Sequence, residues 1–193
     1  MKARTLTLLL IVALACGPTT PTSNQAATND FALAELQVKA GFLYNFALFT
    51  TWPTNVLNGS TNAIRIGVLG QDSFGPILEQ MLRDKRVDKH PVEIRRYTDA
   101  AAARDCQVLY ISCSETGRLP AVLGELGNAP VLTVGDMPGF AEQGGMIALV
   151  KTNDRVAFNV NLSAARQAKL SISSKLLRLA LKIVEPIPAS VSP

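Results

Sequence analysis

The chain has 193 residues with 19 basic and 15 acidic side chains, a formal net charge of +4 and a hydrophobic share of 48%. That length suits one domain. The basic residues are scattered apart from Arg83-Asp84-Lys85-Arg86 and Arg95-Arg96, and no nucleic-acid motif frames them, so they read as a solvated face and nucleic acid is excluded as a partner.

Residues 1–15 read as an export signal. Lys2 and Arg4 give a basic start, Leu6 to Leu14 is apolar apart from Thr7, and Ala13-Leu14-Ala15 offers small residues two apart before a cleavage point. The apolar run is far short of the roughly 20 residues that span a bilayer. Cys16 follows. It is a lipidation candidate, although Leu14 stands one step late for a lipobox; ordinary cleavage beside a chance Cys is the other reading. Residues 16–30 are polar and rich in Thr, Pro and Asn, which predicts a tether without a core. The expected domain runs over 31–186, with a tail at 187–193.

The stretch GFLYNFALFTTWP (41–53) holds three Phe, one Tyr and the only Trp. Either it roots a core helix or it grips a partner. Val38, Phe42, Phe46 and Phe49 follow spacings of four, four and three, one face of a helix over 31–50, with Leu36, Leu43 and Ala47 on a neighbouring face. Phe42, Phe46 and Phe49 are therefore expected against a sheet. Pro53 ends the helix and pushes Trp52 towards extended geometry.

AIRIGVLG (63–70) predicts a strand, DSFGPILEQMLRDK a helix capped by Asp72 or Ser73, HPVEIRRYT a strand opening on a solvated His90, and DAAAARD a short helix. CQVLYISC predicts another strand, which keeps Cys106 and Cys113 too far apart to pair with each other. Both read as small buried residues. A helix interrupted by Pro120 and the strand PVLTVGD follow. Strands alternating with helices predict an α/β protein, a three-layer α/β/α sandwich with a mainly parallel sheet. GGMIALVKTNDRVAFNVN predicts a C-terminal antiparallel hairpin that closes one sheet edge. SSKLLRLALKIVEP predicts an amphipathic helix, with Lys175, Arg178 and Lys182 outward and Leu176, Leu177, Ala180, Leu181, Ile183 and Val184 inward.

No catalytic constellation is visible: there is no P-loop, no G-x-S-x-G and no H-E-x-x-H. One His and two remaining Cys are too few for a zinc site. Gly67, Gly70 and Gly75 have the wrong spacing for a dinucleotide loop. No cofactor is expected, and no enzyme.

The blocks KAGFLYNFALFTTWP (39–53), IRIGVLGQDSFG (64–75), CQVLYIS (106–112), PVLTVGDMPGFAEQGGMI (130–147) and VAFNVNLSAARQAKLSISSKLLRLA (156–180), in that order, resemble the YfiR-like family, also called DUF4154. The resemblance implies a non-enzymatic periplasmic regulator that represses an inner-membrane diguanylate cyclase by binding its periplasmic part, with effects on cyclic di-GMP, adhesion and biofilm. It also implies an outer-membrane, OmpA-like lipoprotein as a counter-partner, and homodimers. The chain departs from the pattern at Leu48 and Thr51, where many members carry Lys and Glu, and at Gly67, which matches a disulfide position of the type member.

Partner contacts are expected on the loop GDMPGFAEQGG, at Met137, Pro138, Phe140 and Glu142, and at Trp52. Phe140 is either tucked under the loop or offered to a partner. The alternative function is a small-ligand-binding module, using the carboxyl rim of the sheet at Gly70, Asp72, Ser73, Phe74, Ser112, Ser114, Glu115, Gly135 and Asp136.

Overall fold

The computed structural model describes residues 23–54, 56, 63–153 and 155–184. Cys16 and the expected signal and tail lie outside them. The elements in chain order are α1 (Ser23–Leu48), β1 (Thr50–Thr51), β2 (Ile64–Leu69), α2 (Ile77–Leu82), β3 (Arg86–Val87), β4 (His90–Tyr97), β5 (Val108–Ile111), α3 (Leu119–Leu126), β6 (Leu132–Gly135), β7 (Ile147–Thr152), β8 (Arg155–Asn161), α4 (Leu162–Gln167), β9 (Ser171–Ile172), α5 (Ser174–Leu177) and β10 (Lys182–Val184). Short 3-10 helices at Ala102–Asp105 and Cys113–Arg118 flank β5.

The main sheet has eight strands in the order β10-β8-β7-β6-β5-β2-β4-β3. Strands β4, β2, β5, β6 and β7 run parallel, and β7–β8 form the antiparallel hairpin. Alternation along the central strands sends side chains to opposite faces. Ile64, Ile66, Val68, Val108, Tyr110, Leu132, Val134, Ile147 and Leu149 enter one apolar cluster, under α1 and α2. Leu69, Leu109, Ile111 and Ala148 enter a second, under α3 and the loop after β6. The result is the three-layer sandwich. At Gly67 an added Cβ would lie 2.7 Å from the Tyr97 ring, so glycine lets Tyr97 cross β2.

Helix α1 begins at Ser23, inside the stretch expected as a tether. Its buried stripe is Ala40, Leu43, Phe46 and Ala47. That is one step round from the expected face. Phe46 is fully buried, Phe42 and Phe49 are half-buried, and Val38 is 46% exposed. Phe42, Phe46 and Phe158 of β8 form one aromatic group, with centroids 5.1–5.6 Å apart. The stretch is thus mainly core. After Leu48 the chain turns into β1, which pairs antiparallel with β9, and Ser173 N–H donates to Phe49 C=O at 2.8 Å.

Several local expectations are corrected. Residues 173–184 do not form one amphipathic helix. Helix α5 stops at Leu177, and Lys182–Val184 pair parallel to β8. Leu181 N–H donates to Phe158 C=O, and Val184 is buried in the second cluster. The β-branched Ile183-Val184 pair gains more from the sheet than from helical spacing. Leu179, Leu181 and Ile183 consequently stay exposed, and the hairpin is not the sheet edge. Pro120 sits at the start of α3 and opens it, where a missing N–H costs nothing. Asp72 caps a turn, its Oδ1 accepting from Phe74 and Gly75 N–H, and α2 starts only at Ile77. His90 is buried opposite Val87 of the small strand β3.

Cys106 is buried and Cys113 is exposed, so only the first is the small buried residue expected; both thiols are free. Burial pushes the Cys106 thiol well above its ordinary range.

Two predictions follow from this packing. Phe46→Ala should cost about 3–5 kcal/mol in urea unfolding, whereas Val38→Ala should stay within about 0.5 kcal/mol. Mass spectrometry of the unreduced protein should find no bridge between Cys106 and Cys113; finding one would mean that strand β5 does not form as described.

Candidate functional site

Two groups of polar residues gather at the carboxyl ends of the parallel strands. The first lies where β2 and β5 part, the switch point of the sheet and the usual ligand crevice of such folds. Gly70 has φ +87°, and its N–H donates to Tyr97 C=O. A Cβ at Gly70 would lie 2.5 Å from Ser114 Oγ and 2.6 Å from Glu115 Oε1. The backbone therefore closes directly on these side chains. Ser114 Oγ accepts from Gln71 N–H at 2.9 Å, Ser112 Oγ accepts from Ser114 N–H at 3.3 Å, and buried Glu115 pairs with Arg118. Beside them, Asp72 Oδ2 takes Arg96, which also binds Glu79 and Gly75 C=O. Phe74 is buried edge-on to Tyr110. Ser73 is exposed. The rim residues of β2 and β5 do come together, but most of their polar groups are taken up by one another.

The second group joins three elements. Lys39 of α1 reaches Asp136 Oδ2 at 2.7 Å and Glu35 Oε1 at 2.9 Å, and Lys151 of β7 reaches Glu35 Oε2 at 2.7 Å. These residues line a cavity of about 190 Å³ with Leu149, Val150 and Val156. Burial opposes the charge on Lys39, but the bonds to Asp136 and Glu35 outweigh it and raise its pKa. The bond from Lys151, then that from Lys39, lowers Glu35 below its ordinary 4.5. Burial first, and the Asp136 charge second, raises the Tyr110 hydroxyl. Asp136 Oδ1 is buried and makes no well-formed hydrogen bond among the described residues, and the Tyr110 hydroxyl interacts with the same carboxylate. Only the Glu35–Lys39 spacing of four could have signalled this network; Asp136 and Lys151 are distant in the chain.

The loop after β6 is folded inward. The Phe140 ring is fully buried between two glycines: added Cβ atoms would lie 2.7 Å from it at Gly135 and 2.2 Å at Gly145. Asn161 Nδ2 donates to Ala141 C=O at 2.8 Å and ties the loop to β8. Met137 is 2% and Trp52 6% exposed. Phe140, Met137 and Trp52 are thus corrected from partner contacts to packing residues, because each fills space in the core. Pro138 and Glu142 of the same loop remain on the surface.

Among the described residues, no helix is long and apolar enough to cross a membrane, and no group of three or more His, Cys, Asp or Glu could hold a metal.

The model of the YfiR/HmsC-like family, DUF4154, matches residues 36–181. The chain belongs to this family. Its members are known as periplasmic regulators and are in general non-enzymatic. The match starts within α1 and ends just before β10. The search of curated proteins gave no match. Among solved structures, a conserved domain protein of Vibrio cholerae O1 biovar El Tor aligns with a TM-score of 0.50 at 13% identity, over 64% of this chain and 55% of that one. This likeness concerns the fold. An ABC domain in complex with L-Trp from Streptococcus pneumonia aligns at 11% identity over 79% of this chain and 60% of that one, with a TM-score of 0.47, too slight to bear on the fold. The chain thus spans between half and two thirds of the length of each.

The salt-linked network gives a pH prediction. Glu35 has a lowered folded pKa, so its contribution is present above about pH 4.5 and is lost as pH falls through the folded value. Glu35→Gln should cost about 0.5–1 kcal/mol at pH 7, and the gap to the unmodified protein should narrow as pH falls below 4.5 and through the lowered folded pKa. Denaturant unfolding at neutral and acid pH checks this; a gap that persists in acid would mean that the carboxylate charge is not what stabilises the joint.

Proposed function

We propose that this protein represses an inner-membrane diguanylate cyclase, or a related sensor, by binding its periplasmic part. Family membership over residues 36–181 carries the reading. The mutually satisfied rim at Gly70, Ser114 and Glu115 supports regulation by contact more than by turnover of a substrate. A repressor must bind the inactive state of its target more tightly than the active one. A hundredfold preference corresponds to about 2.7 kcal/mol, within the ordinary range of allosteric coupling. An OmpA-like lipoprotein of the outer membrane would relieve repression by competing for the protein. Export through residues 1–15 places the domain in the periplasm. Acylation of Cys16 would hold the domain near a membrane.

A small-ligand role draws on one specific observation. Asp136, Lys39 and Glu35 together line the 190 Å³ cavity. A ligand with a charged or hydrogen-bonding group that entered it would compete for the Lys39–Asp136 pair and would bias the position of α1 through Lys39.

Deleting the gene should raise cyclic di-GMP and surface attachment, and the unmodified gene should restore both. Unchanged second-messenger levels, with the target cyclase expressed, would reject repression. In fractionation, Cys16→Ser should move a membrane-associated protein to the soluble fraction; a protein already soluble before the change would reject the anchor.

A further inference from the structure

The cations of this chain are unevenly used. From Arg155 to Val184 there are six basic residues, Arg155, Arg166, Lys169, Lys175, Arg178 and Lys182, and no Asp or Glu. All six are exposed. None makes an ion pair with a described residue, whereas Lys39, Arg65, Arg95, Arg96, Arg118 and Lys151 all do.

Apolar groups are interleaved with them. Arg166 and Lys169 line an open groove of about 410 Å³ with Leu162 and Leu177. Leu177 ends α5, which carries Lys175, and Arg178 follows it. Next along the chain come the exposed Leu179, Leu181 and Ile183, at 69, 50 and 47%. Ile183 lies on β10, the last strand in the sheet order, and its outer edge has no neighbour among the described strands. The opposite edge is blunted: β3 has two residues, and the Arg86 guanidinium folds back on Lys89 C=O.

We propose that β10 and the cationic groove beside it dock an extended, acidic polypeptide segment of a partner protein, with apolar residues at alternate positions. An open strand edge is completed by another strand, which supplies backbone hydrogen bonds and sets its side chains alternately on each face. Its apolar residues cover Leu181 and Ile183, and its carboxylates meet Arg178, Lys182 and the groove cations. Charge argues against a second copy of this chain, because edge-to-edge pairing would bring two such cationic strips together. The bare strand edge argues against a bilayer, where unpaired backbone groups find no partner. The inference rests on the regulatory reading for the existence of a protein partner, and it adds the chemistry of that partner's contact segment.

The test uses the full chain and a labelled eight-residue peptide alternating Glu and Val, capped at both ends. Anisotropy should show binding that weakens as salt rises. Binding should fall at least about tenfold for the double change Arg178→Glu, Lys182→Glu, a loss of about 1.4 kcal/mol or more. A peptide with Lys in place of Glu should not bind. Hydrogen exchange should slow in the segment 178–184 when the Glu-Val peptide is present. Thermal melting checks that the double variant is folded, and Arg178→Gln with Lys182→Gln replaces it otherwise. No binding, equal binding of the Lys peptide or of the variant, or unchanged exchange overturns the proposal. So does binding to phosphatidylglycerol vesicles in place of the peptide, or a dimer that protects 178–184 by itself. None of these measurements involves a cyclase. Failure here with repression intact in cells would displace only the docking surface, and unchanged cyclic di-GMP in the deletion strain would reject repression and leave peptide binding untouched.

Discussion

Covering the central strands on both faces is the constraint from which the rest of this structure follows. Strands β5 and β6 are buried throughout, and β2 is buried at every position but Arg65, so each alternate side chain needs an apolar layer above or below. Helix α1 supplies much of one layer, in which buried Phe46 packs edge-on against Phe158. Because α1 must lie there, Lys39 arrives beside Asp136 at the end of β6, and Glu35 beside Lys151. The ion-pair network is a consequence of where the aromatic end of the helix packs. The other layer has the same logic on a smaller scale, since Phe140 fills the space that Gly135 and Gly145 leave open.

That constraint separates what the sequence made legible from what it hid. The short, mainly apolar runs CQVLYIS and PVLTVGD, and the hairpin turn after Thr152, are local signals, and the strands appear where they point. Helix α1 was legible as a helix but not in its facing, because Phe is bulky enough to be half-buried on a flank. Ala40 and Ala47, small residues with weak hydropathy, mark the face closest to the sheet. The C-terminal segment was misread for a different reason. LLRLALKIV has helical spacing, yet the gap beside β8 offers Ile183 and Val184 a strand, and tertiary pairing overrides local pattern. The loop Phe illustrates the limit for sites: a Phe between Gly, Met and Pro looks available, and only the neighbouring strands show that it is enclosed.

The same geometry shapes the functional reading. In an open α/β sheet the crevice at the switch point is the first place to look for a ligand. Here Gly70 draws the backbone onto Ser114 and Glu115, and the crevice is packed with the protein's own side chains. What the surface offers instead lies at the β10 edge of the sheet, where exposed aliphatic residues alternate with cations that make no ion pair among the described residues. Membership of a family of periplasmic regulators and a surface of this kind both support the proposal of a protein that acts by being bound.

Repression by contact is the central claim, and reconstitution tests it most directly. The target cyclase would be placed in lipid nanodiscs, which leave both its periplasmic part and its catalytic part accessible, and cyclic di-GMP formation followed while the purified mature protein is added. The account predicts a saturable fall in rate. An active cyclase whose rate is unchanged at saturating, folded protein would contradict it.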